Sequence, residues 1–336
     1  MSTIKDVAEA AGVSIATVSR ALHGMPRVSE ATRQRVLAAA AELHYVASPS
    51  AASLASGQTN TVGVVTPFVN RWYFGAIVHS TAERLRKAGY DLLLHSMGTD
   101  AEERHRAFSG ALLRKRVDAV LVLGLRPTTE EITTLTTAAG PVAIVGTDVP
   151  GWASVRIDDE AAARCAVRHL IDLGHERIGF IGGRPDDPRR PARPDPRLEG
   201  WRAELAAAGL PTDPRLEEVG DYTVDSGRAA TERLLRLPRP PTALFAASDE
   251  MAMGAVQAAR KIGHRVPGSL SVIGIDDHEM AELLDLTTVA QPVAAQGVLA
   301  AGLLLAALAD PDQALPALTM PTKLIVRGTT GPPPRA

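Results

Sequence analysis

The chain of 336 residues holds a single cysteine, Cys165. An intrachain disulfide is therefore impossible and a multi-cysteine metal site is excluded, as expected of a chain that works in a reducing cytosol. It also lacks a charge excess. Lys and Arg number 36 against 38 Asp and Glu, a formal net charge of −2, so any footprint for nucleic acid must be local. The opening residues, MSTIKDVAEAAG, show neither the basic nor the apolar region of a secretory signal. The longest apolar run, Val298 to Ala309, is too short to span a bilayer and reads as a buried helix. A soluble, cytoplasmic chain is the expectation. No strand-like run leads into a G-x-G-x-x-G or phosphate-loop pattern, and the glycines of IGFIGG fall at other spacings. His169 and His175 are too far apart for a compact helical metal pair. Cys165 lies mid-helix among alanines, a setting that suits packing better than nucleophilic attack. No catalytic residue, metal ligand or cofactor is assigned.

What remains is a chain long enough for two or three domains, with 45% hydrophobic and 22% charged residues. Residues 3–46 read as three short helices. Ile4, Val7, Ala8 and Ala11 share one face of the first, and Gly12 supplies a tight turn. Ser14 is placed to cap a second helix running to about Leu22. After a loop with Gly24 and Pro26, Ser29 and Glu30 open a third that carries Val36, Leu37, Ala40 and Leu43. Residues 47–59 are small and polar apart from Leu54, a linker with room for one short helix. From Thr61 onward, apolar runs (62–67, 90–95, 117–123, 142–146, then 177–183, 242–247, 271–276) alternate with amphipathic helical stretches. Such alternation predicts parallel sheets clothed by helices. Two series predict two doubly wound lobes with a cleft between them, and TKLIVR (322–327) is expected to complete one sheet. The Pro- and Arg-rich stretch from Arg184 to Arg197 blocks regular structure and reads as a solvated loop.

The string TIKDVAEAAGVSIATVSRALHG (3–24) resembles the N-terminal module of the lactose/galactose repressor (LacI/GalR) family. The likeness continues through VSEATRQRVLAAAAELHYV (28–46) and the linker, and extends over essentially the whole chain. The resemblance implies an all-α helix-turn-helix headpiece at 1–46 and a hinge at 47–60. It further implies a periplasmic-binding-protein-like core at 61–336, with one lobe at about 61–157 and 290–320 and the other at about 158–289 and 321–330. It implies a transcriptional regulator, a repressor in kind, that binds double-stranded DNA and a small effector.

The residues agree with that expectation. Ile15, Ala16 and Arg20 are expected near the N-terminal half of a recognition helix in the major groove. There Arg20 can make two bonds to guanine, and the apolar pair can read methyl groups and shape. By resemblance, Thr3, Ser14, Thr17, Ser19, Ser29, Thr32 and Tyr45 fall at backbone phosphate contacts; for Thr17 and Ser19 singly, capping or packing explains them equally well. Residues 1–46 carry five cations (Lys5, Arg20, Arg27, Arg33, Arg35) against four carboxylates (Asp6, Glu9, Glu30, Glu42), a balance of only +1. One headpiece should bind weakly, so a homodimer reading a pseudo-palindromic operator is expected. In the family the leucine matching Leu54 wedges into the minor groove from a hinge helix too short to be stable alone. Ser48 stands where relatives often have asparagine.

Ligands of open α/β sheets bind beyond the carboxyl ends of the strands. The segments there are 68–74, 146–148, 248–249 and 276–277. Resemblance through RLEGW (197–201), ASDEMA (247–252) and GIDD (274–277) implies effector roles for Arg197, Asp249 and Asp276, with Tyr222 at an aromatic position. Phe68, Arg71, Trp72 and Tyr73 complete the expected set. Carboxylates, a guanidinium and aromatic faces suit a mono- or oligosaccharide. Asp249 and Asp277 could equally be helix caps, and Trp72, Tyr73 and Phe74 could equally be core. Gly146 departs from an aspartate common in relatives. A purine effector is the alternative within the regulator class; a sugar-processing enzyme and an exported sugar-binding protein are the alternatives outside it. The helices at Val298–Ala309 and near 73–88 are candidates for a dimer face or for burial within the lobe. The tail after Arg327 has no heptads for a tetramerising bundle.

Overall fold

The computed structural model describes residues 2–22, 28–45, 58–97, 101–108, 115–138, 140–184 and 195–334. Leu54, Ser48, the hinge helix and most of the Pro/Arg-rich stretch lie outside the described residues.

In the headpiece, α1 (Ile4–Ala11), α2 (Ile15–Leu22) and α3 (Glu30–Glu42) pack around Val7, Val18 and Val36, all fully buried. Each helix begins at a hydroxyl. Thr3 and Asp6 form a reciprocal capping box. Ser14 accepts from the Thr17 backbone N–H at 3.1 Å, and Ser29 from that of Thr32 at 3.3 Å. Gly12 closes α1 in the left-handed region at φ 64°, where a side chain would be strained.

Two expectations need correction. With Ser14 as the expected cap, α2 is only eight residues long, and Arg20 falls in its last turn rather than its N-terminal half. Leu37 is 42% exposed. The buried stripe of α3 runs Val36, Ala39, Ala40, with Leu43 packed beside it, a spacing of three and four that excludes Leu37.

The core holds two sheets of the same winding, six-stranded among the described residues. Sheet 1 has the order β11–β5–β4–β3–β1–β2, all parallel. Its strands are β1 (Thr61–Thr66), β2 (Asp91–Ser96), β3 (Ala119–Leu123), β4 (Val142–Val145), β5 (Ala153–Ile157) and β11 (Ala317–Met320). Sheet 2 has the order β12–β10–β9–β8–β6–β7. Its strands are β6 (Ile178–Gly182), β7 (Glu217–Val219), β8 (Ala243–Ala246), β9 (Ser271–Asp276), β10 (Thr287–Ala290) and β12 (Lys323–Ile325). TKLIVR does complete a sheet, through β12, which pairs antiparallel with β10 at the edge.

Sheet 1 is apolar on both faces. Val62, Val64, Leu121 and Leu123 pack toward α4 (Trp72–Arg86) and α11 (Val293–Ala309). Val65, Val120, Val122 and Ile144 pack the other way, toward α5 (Ala101–Phe108) and α6 (Thr129–Ala138). The alternation is the two-residue period of a strand buried on both sides. Around sheet 2, α7 (Asp159–Asp172) packs on α8 (Pro196–Ala207), and α9 (Val224–Leu235) on α10 (Asp249–Lys261). The second pair meets at Gly227 and Gly254. A Cβ at Gly254 would enter the Val224 carbonyl, and one at Gly227 the Met251 backbone.

Val298–Ala309 lies within α11, yet the helix is not buried all round. Ala300, Ala301, Leu304 and Ala307 face the core, while Val298 and Leu299 are exposed. No helix among the described residues is long and apolar enough to cross a membrane. The chain passes between the sheets three times: after β5, after β10 and after β11.

Candidate functional site

The headpiece presents Ile15, 43% exposed, together with exposed Ala16 and Arg20 on α2. Thr17 and Thr32 bond through their hydroxyls to the capping Ser14 and Ser29, at 2.9 and 2.8 Å. Five of the seven hydroxyls of the expected phosphate set, those of Thr3, Ser14, Thr17, Ser29 and Thr32, are thus gathered at helix starts, where backbone N–H groups and the positive dipole end favour an anion. Ser19 is half-buried on α2, and Tyr45 is half-buried against the headpiece core.

The second site is the cleft between the lobes, whose space, mouth included, is about 1080 Å³. It lies beyond the carboxyl ends of β1, β3, β4, β8 and β9, the position that a doubly wound sheet leaves open to a ligand. Phe68, Arg71, Tyr73, Arg197, Tyr222 and Asp276 all line it.

Arg197 is the second residue of α8, after the Asp195 cap and Pro196. Its Nε donates to Asp159 at 2.7 Å, and its Nη1 donates to the Ala247 carbonyl. Burial alone would lower its pKa, but Asp159, Asp276 and Tyr222 outweigh burial and raise it, so the cation is fixed. Asp276 ends β9 at φ 134°, and Tyr222 sits at φ 53°. Non-glycine residues held at positive φ store strain, a feature that concentrates at ligand sites. Burial pushes the Asp276 carboxyl up, against the pull of Arg197 and of the Gln291 amide, which donates at 2.6 Å. Burial also carries Glu250 up to about 7.

From the first lobe, Arg71 stacks 4.9 Å from the Phe68 ring centroid. It reaches across to donate to the Tyr222 carbonyl at 3.0 Å and lies 3.5 Å from Asp221. The loop after β3 that carries Arg126 is held by Arg104, which donates to the Arg126 carbonyl at 2.9 Å while paired with Glu131. Gly146 adopts φ 94°, and an added Cβ would lie 3.8 Å from the Tyr73 hydroxyl.

Two expected residues do not line the cleft. Asp249 is fully buried behind it. Its carboxyl receives the His278 backbone N–H at 2.8 Å and the Thr288 hydroxyl at 2.7 Å, and burial followed by the charge of Asp276 raises its pKa. It is not the cap of α10 either, because Ser248 takes that place. Asp277 is no cap but pairs with Arg327 at 2.7 Å. Trp72 turns away from the cleft, its ring 4.5 Å from that of His278 on the other lobe.

Sequence reasoning missed Asp159, Glu250, Gln291 and Gln296, all of which line the cleft. Asp159 follows β5, and the two glutamines follow β10. Both strands are short and carry polar residues (ASVRI and TTVA), so no apolar run marked the positions beyond them.

Comparison with known proteins agrees with this geometry. Residues 3–48 match the model of bacterial regulatory proteins of the lacI family, and residues 167–330 that of a periplasmic binding protein-like domain. The HTH-type transcriptional repressor CytR of Escherichia coli strain K12 is 34% identical over 333 residues, covering 98% of this chain and 96% of that one. The structure of the lac repressor dimer bound to operator and an anti-inducer superposes with a TM-score of 0.85 at 30% identity, covering 98% of this chain and 99% of that one. The complex of the regulator CelR with cellobiose gives a TM-score of 0.70 at 34% identity, covering 98% of this chain and 100% of that one. The chain belongs to the lacI family of bacterial regulatory proteins, and is a DNA-binding transcriptional regulator with a ligand-binding core.

Proposed function

We propose that this regulator represses transcription as a homodimer on a pseudo-palindromic operator, and that a sugar bound between its lobes sets its affinity for DNA. The observation that carries the sugar reading is the hydrogen-bonding character of the cleft. Arg197, Asp159, Asp276, Gln291, Gln296 and Tyr73 bring both donor and acceptor groups, beside the apolar faces of Phe68, Phe74 and Tyr222. A pyranose or furanose has hydroxyls at its rim and C–H groups on its face, and uses both kinds of surface. A related regulator is known in complex with cellobiose and another with ribose.

In this reading Ile15, Ala16 and Arg20 face base edges, and Thr3, Ser14, Thr17, Ser19, Ser29, Thr32 and Tyr45 face phosphates. The exposed Val298 and Leu299 of α11 supply apolar surface for the second copy. The domain limits expected from the sequence are retained as the working division.

A thermal-shift screen of mono- and disaccharides, with purine nucleosides alongside, followed by operator gel shifts with each hit, tests the proposal. The expected result is a sugar that stabilises the protein and changes operator affinity. A purine that does both, or no compound that does, overturns the sugar reading. Arg20→Ala should weaken operator binding by about 1–3 kcal/mol, the value of a bidentate guanine contact, and should relax discrimination at one base pair.

A further inference from the structure

Among the described residues four carboxylates line the cleft, and three of them are already spent. Asp159 accepts from Arg197 Nε at 2.7 Å, Asp195 caps α8 by accepting the Arg197 backbone N–H at 3.0 Å, and Asp276 accepts from Gln291 Nε2 at 2.6 Å. The fourth is Glu250. It is the second residue of α10, after the Ser248 cap, and is half-buried. Among the described residues it accepts no hydrogen bond and forms no ion pair; Arg71 and Asp276 act on it through charge alone. The Arg71 guanidinium is engaged instead by the Tyr222 carbonyl at 3.0 Å and by Asp221 at 3.5 Å. The segment ASDEMA thus divides its two acids. Asp249 is consumed inside the lobe by Thr288 and His278, whereas Glu250 lines the cavity with its acceptors unused. A carboxylate withdrawn from water is ordinarily matched by a partner, and here the partner's place is open cleft.

We infer that Glu250 is a specificity-determining residue for the effector: its carboxylate receives a hydroxyl or an amine of the ligand, and no phosphate or carboxylate is admitted on the face that meets α10. Burial raises the Glu250 carboxyl to about 7, Arg71 opposing and Asp276 adding to the rise. Above that range the group only accepts, so it selects a donor. An acid brought beside it and Asp276 meets like charge in a partly buried site, where repulsion is poorly screened. A bond from a donor to the ionised carboxylate is of the stronger, charge-assisted kind. The inference rests on the cleft being the effector site, and it narrows the effector to one that is neutral or basic where it meets the second lobe.

Calorimetry on the full chain, at a pH above the Glu250 range, compares the wild type with Glu250→Gln and Glu250→Met. The probes are glucose, ribose and cellobiose, with adenosine and inosine beside them, each with the analogues in which one hydroxyl is replaced by fluorine, an exchange that removes the donor. For a probe that binds the wild type, fluorine at one position should cost at least tenfold in affinity. That cost should shrink to threefold or less in Glu250→Met, with Glu250→Gln between. A residue that merely shaped the cleft would weaken parent and analogue alike and leave their ratio unchanged in all three proteins. That result overturns the assignment while leaving the sugar reading standing.

At the position so identified, an amine in place of the hydroxyl should hold or improve affinity, and a phosphate there should lower it at least a hundredfold. Tighter binding of the phosphate overturns the proposal. If adenosine or inosine binds and no sugar does, the sugar reading fails, and a ratio that depends on Glu250 in the same way supports the proposal. Binding of no probe overturns both.

Discussion

The two lobes share one strand order and one way of winding, yet they bring opposite chemistry to the cleft. Among the described residues, every carboxylate that lines it (Asp159, Asp195, Glu250, Asp276) belongs to the second lobe, which adds the guanidinium of Arg197. Among the described residues the first lobe contributes the guanidiniums of Arg71 and Arg126, no carboxylate, and the aromatic rings of Phe68, Tyr73 and Phe74. On the second wall Arg197 is paired with Asp159, and Asp276 accepts from Gln291. The first is aromatic, and two glycines, Gly124 and Gly146, stand at its strand ends. Topology fixes where a ligand lies, and the strand-end residues decide what it must be. The two walls are also tied directly, since Arg71 crosses to Tyr222 and Asp221.

Substitutions that treat the two walls alike can break this contrast. Arg197→Met should have the largest effect. It strands Asp159 beside Asp276 in a buried site, and losing one partner of such a pair costs about 3–5 kcal/mol. Calorimetry with a bound sugar should show affinity falling by at least a hundredfold, whereas Phe68→Ala on the first wall should cost about tenfold. Comparable losses at both positions would show that the charged wall is not dominant.

Next come the glycines. Gly254→Ala forces α9 from α10 and should destabilise the second lobe by about 1–3 kcal/mol, the usual range for overpacking. Gly146→Ala places a side chain at φ 94° and should cost about 1–2 kcal/mol. Its Cβ also narrows the space by Tyr73, so ligand affinity should fall along with Tm. Chemical denaturation with and without ligand separates the two.

The smallest effect is a slope. Glu250, raised by burial to about 7, binds its proton more tightly folded than unfolded. Its contribution to stability is full below the ordinary glutamate range and is lost as pH rises toward 7. His175 has the opposite sign. Burial lowers its pKa, and its ring bonds to Thr242, Ser271 and the Gly331 carbonyl suit the neutral form. Stability from His175 is present above the ordinary histidine range and is lost as pH falls below it. Glu250→Gln should flatten the first limb of a Tm-against-pH curve and leave the second intact.

How much of this was legible in the sequence depended on whether a residue announced its own environment. The strands that are buried on both faces, such as VGVVTP and SVIGID, were evident from continuous apolar runs. The edge strands β7 and β11 and the polar strands β5 and β10 were not, because EEV or TTVA becomes a strand only when a neighbour offers it a ladder. The site divides along the same line. Arg197 and Asp276 sit in recognisable motifs. Asp159, Gln291 and Gln296 follow unrecognised strands and acquire their roles only through tertiary pairing. Asp249 shows the converse, a motif residue whose carboxyl is consumed inside the lobe by Thr288 and His278.

The three passages of the chain between the sheets give the core a mechanical character of its own. One covalent tether would let the lobes twist, slide and swing, and a second would still allow much of that. Three side by side remove nearly every freedom except a swing that opens and shuts the cleft. An effector therefore has a single coordinate on which to act, and whatever the headpieces sense of its arrival must come as an angle. It follows that neither lobe can be excised or exchanged by a single cut, and that a graft of new specificity has to be made residue by residue on the cleft walls.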